Sequence, residues 1–335
     1  MGVAEEGGHT PGRRQGSAGS PDRGADSRRP GSPARGVDGT GGTVVPLFPA
    51  AAGGGGGAGR AEEVADPVAA ERLRQHLPHS GRMYDYFLGG KTNYAVDREA
   101  AETVIRRFPP VRGVARANRA FTLRAARFLA RERGLRQFLD IGTGIPSAPN
   151  LHEVVQREAP DARVAYADND PIVLVYADSL LAGSPEGRTG YVEADLTDPA
   201  GLLAAVAATG CLDLAEPVAL SLNAVLHFVP DDQDPYTLVA ALLDALAPGS
   251  YLTLSHCTGD FDPAAWARVT EVYMRGGTRA QVRSRAEVER FFAGLVLEEP
   301  GVVVAHRWRP DPFDGPAGRL ADAAVALYAG VARKA

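Results

Sequence analysis

The chain predicts an α/β domain built on a mainly parallel sheet, and three observations carry that prediction. From Gln137 onward, short apolar runs alternate with helical stretches, the rhythm of strands joined by crossover helices. Four Asp-Pro pairs, at Asp170, Asp198, Asp234 and Asp262, punctuate those stretches. Each sets a capping carboxylate before a proline whose missing N–H would be unpaired at a first helical position anyway. The polar clusters follow the apolar runs, and open parallel sheets bind ligands beyond the C-terminal ends of their strands.

Along the 335 residues, the first 60 hold 18 Gly and 6 Pro, ending in the run Gly53 to Gly57. Such a stretch buries too little to fold alone, so residues 1–65 read as a disordered Gly/Pro/Arg-rich tail. Order is expected to begin near Asp66-Pro67. Residues Arg82–Lys91 read as a short helix closed by Gly89. A longer helix is expected over Val114–Arg133. There Phe121, Ala125, Phe128 and Leu129 form one apolar stripe, and five arginines occupy much of the other face. Residues 66–134 are read as a helical lid or cap, and 135–335 as the α/β domain.

Strands are expected at Gln137–Ile141, Arg163–Ala167, Thr189–Val192, Val218–Leu222 and Tyr251–Ser255. Later ones are expected at Leu295–Glu298, Val302–His306 and Val325–Val331, the first two either as separate strands or as one interrupted strand. Asn150 with Glu153, and Ser284 with Glu287, have the spacing of capping boxes.

Composition narrows the function. No apolar run reaches the roughly 18–20 residues of a membrane span. No basic stretch precedes an apolar one at the N-terminus, so a cytoplasmic protein is expected. Two cysteines, Cys211 and Cys257, make no disulfide framework or zinc site. A formal net charge of −5 does not suggest a nucleic-acid partner.

Five clusters can carry chemistry. Asp140-Ile-Gly142-Thr143-Gly144 lies between a strand and a helix, where glycines let backbone approach a ligand. A dinucleotide loop would want a third Gly at position 147, which is Ser. Asp168-Asn169-Asp170 closes the second strand, where a carboxylate can accept from both ribose hydroxyls. Asp170 is better used as a helix cap. Glu193-Ala-Asp195-Leu196 follows the third strand and can meet an adenine amine. Asn223 to His227 follows the fourth. His227 is a candidate general base, with an orienting or packing role as the alternative. His256 and Asp260, after the fifth strand, are expected to line an acceptor pocket, with Cys257 a small core residue.

In this order the clusters resemble the class I S-adenosylmethionine-dependent methyltransferases. The likeness is closer to an actinobacterial family of S-adenosyl methyltransferases formerly catalogued as a domain of unknown function. It rests on Tyr84–Asn93, Arg116–Phe121, Phe138–Pro146, Asp168–Pro171, Val225–Asp232 and Ser255-His256, spread over residues 75–335. The resemblance implies a Rossmann-like seven-stranded sheet in the order 3-2-1-4-5-7-6, with the seventh strand antiparallel. Pro146 departs from the broader class, which often has Gly there.

The implied cofactor is S-adenosylmethionine. Gly142, Thr143 and Gly144 would approach its methionine part and Asp140 its ammonium. Asp168 and Asn169 would meet the ribose, Asp195 and Leu196 the adenine, and Asn223 the donor from the fourth strand. Lys91 is one of two lysines. With Arg116, Asn118 and Arg119 it would neutralise the donor carboxylate. The expected function is methyl transfer to a small-molecule acceptor. The alternatives are a donor-binding regulatory protein without efficient turnover, and a nicotinamide-dependent oxidoreductase.

Overall fold

Five of the apolar runs lie side by side in parallel, as their alternation with helices requires. A computed structural model of the chain describes residues 75–173, 183–311 and 320–335. Its parallel strands are β1 (Gln137–Ile141), β2 (Arg163–Asp168), β3 (Arg188–Glu193), β4 (Ala219–Asn223) and β5 (Tyr251–Cys257). They pair in the order β3-β2-β1-β4-β5. β1 and β5 are buried along their whole lengths, as expected for a sheet covered on both faces.

Beyond β5 the sheet reverses. The apolar stretch near residue 300 is interrupted, giving β6 (Val296–Leu297) and β7 (Val303–Val304). Between them Gly301, with φ of +82°, donates its N–H to Glu298 O at 2.8 Å and turns the chain. β7 ends sooner than expected, because Ala305–Arg307 coils into a 3-10 turn. β8 (Leu327–Arg333) runs antiparallel to β5, from Cys257 opposite Leu327 to Tyr251 opposite Arg333. β6 and β7 both pair with β8 on its other side. The order is β3-β2-β1-β4-β5-β8-β6, with β7 beside β8. With the interrupted strand taken as one, this is the sheet that the resemblance implies.

The helices are α1 (Ser80–Leu88), α2 (Ala95–Arg107), α3 (Val111–Arg131), α4 (Leu151–Glu158), α5 (Pro199–Ala208), α6 (Pro235–Asp244), α7 (Pro263–Arg275), α8 (Arg285–Arg290) and α9 (Asp322–Val325). Their starts follow the capping chemistry. Asp198 accepts from Gly201 N at 3.0 Å and Asp262 from Ala265 N at 2.9 Å. Glu153 accepts from Asn150 N, and Glu287 from Ser284 N, both at 2.7 Å. Each such cap contributes about 1 kcal/mol. Asp170 does cap the turn after it, accepting from Ile172 N at 3.1 Å. Its other oxygen faces His79 Nδ1 at 3.2 Å and Arg82 Nε at 3.8 Å. Gly89 closes α1 at φ of +87°. The expected start near Asp66-Pro67 and the tail lie outside the described residues.

α3 begins at Val111 rather than Val114, with Pro110 (φ −71°) leading straight into the helix. Phe121, Ala125 and Leu129 are completely buried. The arginine face is not uniformly wet. Arg116 and Arg131 are exposed, whereas Arg124 is buried. Its Nε donates to Trp308 O at 3.0 Å and its Nη2 to Ala305 O at 2.7 Å. These bonds tie α3 to the turn that follows β7. Arg124→Met keeps much of the apolar stem and strands both carbonyls. It should cost about 2–4 kcal/mol in urea unfolding, against under about 0.5 kcal/mol for Arg131→Met on the exposed face.

Candidate functional site

The glycine loop after β1 takes its shape from two residues that an ordinary side chain would strain. Gly142 and Gly144 have φ of +71° and +64°. A Cβ on Gly142 would fall 2.5 Å from Val225 Cγ2, so this position is closed to any other residue. Gly142 donates its N–H to Ala167 O at 2.8 Å, and Gly144 donates to Asp168 Oδ2 at 2.7 Å. Asp168 Oδ1 accepts from Asp170 N at 2.9 Å. The carboxylate expected to wait for a ribose is therefore also the clamp that joins the loops after β1 and β2. Each oxygen keeps a further lone pair for a ligand. Burial pushes the Asp168 carboxyl up, and the two amides and nearby His79 oppose that.

Asp140 stands beneath this loop and is buried. Burial pushes its pKa up to about 6, with Asp168 adding to the shift. The Arg119 charge and a hydrogen bond with Thr143 oppose it. Arg119 itself is held by the carbonyls of Ser147 and Pro149.

These groups open on a cavity of about 460 Å³, within the range of small-molecule sites. Asp140, Gly142, Thr143, Gly144, Asp168, Asn169, Asp195, Leu196, Asn223 and His227 all line it. Asp195 is exposed, and its Oδ1 accepts from the N–H and the hydroxyl of Thr197, each at 2.8 Å. α1 and α3 form much of the facing wall, through residues such as His79, Tyr84, Asn118 and Arg119. Tyr84 donates to Ala115 O at 3.0 Å and accepts from Asn118 Nδ2 at 2.9 Å. Asn118 Oδ1 accepts from Ser255, whose hydroxyl accepts from Ala224 N at 2.9 Å. This chain of bonds fixes α3 to the ends of β4 and β5.

Four of the expected residues stand apart from the cavity. Lys91 is exposed and does not line the cavity. The Asp85 carboxylate takes Thr92 N at 2.9 Å and Asn93 Nδ2 at 2.7 Å, folding the chain after Gly90 back onto α1 and leaving Lys91 outside. Arg116 likewise is exposed on α3 and stands away from the lining. His256 and Asp260 do not line it either. Asp260 Oδ2 is engaged by Arg285 N at 3.0 Å. His256 is completely buried.

Arg283 explains His256. Its Nη1 lies 2.8 Å from His256 Nε2, and a guanidinium can only donate. Nε2 is therefore the acceptor, and Nδ1–H donates to Cys257 O at 2.7 Å. Arg283 also donates to Leu226 O, Val229 O and Asp231 Oδ1, at 3.0, 2.9 and 2.6 Å. It thus braces both sides of His227, and no local signal in the sequence marks it for this work. His227 packs edge-on against Phe228 and His256, at ring distances of 4.4 and 5.5 Å. Burial, with the Arg283 charge, pushes its pKa down to about 3. The near-neutral titration expected of it is thereby lost, and the ring is uncharged at physiological pH. Cys257 does reach the cavity wall, and burial pushes its thiol up to about 12.

The sheet order, the glycine loop and the acids closing β1 and β2 define a class I methyltransferase fold. Residues 66–335 match the model of a family described as S-adenosyl methyltransferase, and the chain belongs to that family. A DUF574 family protein from Streptomyces avermitilis is 48% identical over 78% of this chain and 100% of its own, with a TM-score of 0.76. A candidate methyltransferase from Thermobifida fusca is 37% identical over 77% of this chain and 95% of its own, with a TM-score of 0.70. The comparison with curated proteins finds no match. Among the described residues, no helix is long and apolar enough to cross a membrane. Nor is there a cluster of three or more side chains able to hold a metal.

The family's cofactor is S-adenosylmethionine, and the residues present fit it. Asp140 is a buried acid whose raised pKa marks a place where a cation would be welcome. The Oδ1 of Asn223 is buried without a hydrogen-bond partner among the described residues.

Arg283→Gln should lower stability by about 2–4 kcal/mol, since two buried carbonyls lose their donors. In the same variant the His227 ring should titrate at higher pH than in the parent, as read from its ¹⁵N shifts.

Proposed function

We propose that the protein transfers a methyl group from S-adenosylmethionine to a small-molecule acceptor held in the same cavity. The observation that carries this reading is the division of that cavity. One end has three carboxylates and the glycine loop, and the other has aromatic and aliphatic side chains. When bound, S-adenosylmethionine supplies a methyl carbon already activated by its sulfonium.

The protein's part is then alignment and exclusion of water. Asp140 receives the donor ammonium, and the Gly142–Gly144 backbone approaches the methionine part. Asp168 and Asn169 meet the ribose, and Asp195 and Leu196 the adenine edge. Asn223 offers its unpaired oxygen at the boundary with the acceptor. Arg119 neutralises the donor carboxylate, the work first expected of Lys91. The bound donor would supply its methyl carbon to the acceptor's lone pair and leave as S-adenosylhomocysteine, the acceptor's proton passing to solvent. With a pKa near 3, His227 holds a proton too weakly to store it, so its work is to orient the acceptor.

Calorimetric titration should show S-adenosylmethionine and S-adenosylhomocysteine binding, with Asp168→Asn weakening both and NAD giving no heat. Folded protein that ignores both adenosyl compounds would remove the reading. Tight binding with no turnover against any acceptor would favour a regulatory role.

Asp140 predicts the pH dependence. Its folded pKa is raised, so below about pH 6 the site must lose a proton before it can bind an ammonium. Affinity should be constant above pH 6 on this account and fall toward tenfold per unit below it. Asp140→Asn should flatten that fall. Separately, His227→Ala should lower kcat/KM about 10–100-fold while changing donor Kd less than about twofold.

A further inference from the structure

The acceptor end of the cavity has its own chemistry, carried by α7 and by the segment after β4. Trp266, Val269, Thr270 and Tyr273 line it from one face of α7, at helical spacing. Phe228 meets Tyr273 at a ring distance of 5.3 Å, inclined at 58°. The aromatic side chains that line this end favour an aromatic partner over an aliphatic one of the same size.

Two polar atoms interrupt this apolar surface. His227 Nδ1 and Trp266 Nε1 are buried with no hydrogen-bond partner among the described residues, and both side chains line the cavity. Native proteins rarely leave such atoms unpaired without cause. An indole N–H can only donate, and here the protein covers it. His227 is uncharged and can accept from an O–H or N–H.

Charge completes the description. The three acids of the lining, Asp140, Asp168 and Asp195, all follow β1, β2 or β3. On the other side, after β4 and α7, the ionisable cationic groups among the lining are His227 and Arg279. Arg279 pairs with Asp232 at the surface, at 2.5 Å. A permanently charged ammonium placed there would meet no carboxylate of the described lining, and would feel Arg283 behind His227.

We infer that the acceptor is a flat aromatic compound, neutral or anionic, bearing a hydroxyl or ring N–H that bonds the half-buried His227 ring. This rests on the methyltransferase reading of the cavity and deepens it.

The test uses the full chain saturated with S-adenosylhomocysteine, whose own binding is first measured by calorimetry. Three probes of one ring system are then compared at pH 7.5: 2-naphthol, 2-methoxynaphthalene and 2-naphthylmethylamine, the last a cation at that pH. 2-Naphthol should bind and quench tryptophan fluorescence. The methoxy compound should bind at least about fivefold more weakly, and the amine at least about tenfold. Trp266→Phe should abolish the quenching but leave binding of S-adenosylhomocysteine intact. His227→Phe should erase the preference of naphthol over its methyl ether. If S-adenosylhomocysteine binds and the amine binds as well as naphthol, or naphthol does not bind, this inference is overturned and the methyltransferase reading stands. If S-adenosylhomocysteine does not bind, both fall.

Discussion

The arrangement depends on the burial of one helix. α3 spans Val111–Arg131 and is covered over most of its surface, which is unusual for a helix with so many arginines. Apolar burial alone would fix neither its rotation nor its position along its axis, because that force has no direction. Three polar side chains do. Asn118 is bonded to Tyr84 and Ser255, Arg119 to the carbonyls of Ser147 and Pro149, and Arg124 to those of Ala305 and Trp308. The three bind different parts of the chain, so the helix cannot slide or turn without breaking several bonds at once. The wall that α3 gives the cavity is held by the same bonds that hold the fold.

A second economy appears at Asp168. The carboxylate proposed to meet a ribose would be a liability if it were only that, since its burial is costly. By accepting from Gly144 N and Asp170 N it is stabilised by its own scaffold. The acid and the glycine loop are then one structural unit. Function and local stability are not opposed at this residue. Asp140 differs: among the described residues it has no comparable set of backbone donors, and its pKa stays raised to about 6.

Much of this was legible in the sequence because it is governed by local rules. The Asp-Pro caps at Asp198, Asp234 and Asp262, and the boxes at Asn150 and Ser284, act within four residues, and each helix starts where they say. The parallel strands follow from apolar runs of the right length. α2 went unseen because its start uses Tyr94 with Asp97, and tyrosine is no sign of a cap. The departures at the site are of another kind. Lys91 looked singular by its rarity, but where it points is decided by Asp85 gathering the loop beyond Gly90. His256 is expected at the pocket from its place near a strand end, but Arg283, 27 residues later, holds it away from the cavity. Such contacts are set by tertiary packing and leave no spacing to read.

The reversed strand has a consequence for how the protein is made. β8 lies inside the sheet, between β5 and the β6–β7 pair, and all but its last residue are buried. It also follows the other described strands in sequence, and Leu327 at its start reaches the cavity wall. During synthesis from the N-terminus, the other strands emerge before the one that must be inserted among them. Until it arrives, β5 presents an open edge and the cavity lacks part of its wall. Such an edge is where a half-made chain can pair with a neighbour. The nascent sheet therefore stays both open and vulnerable until β8 leaves the ribosome.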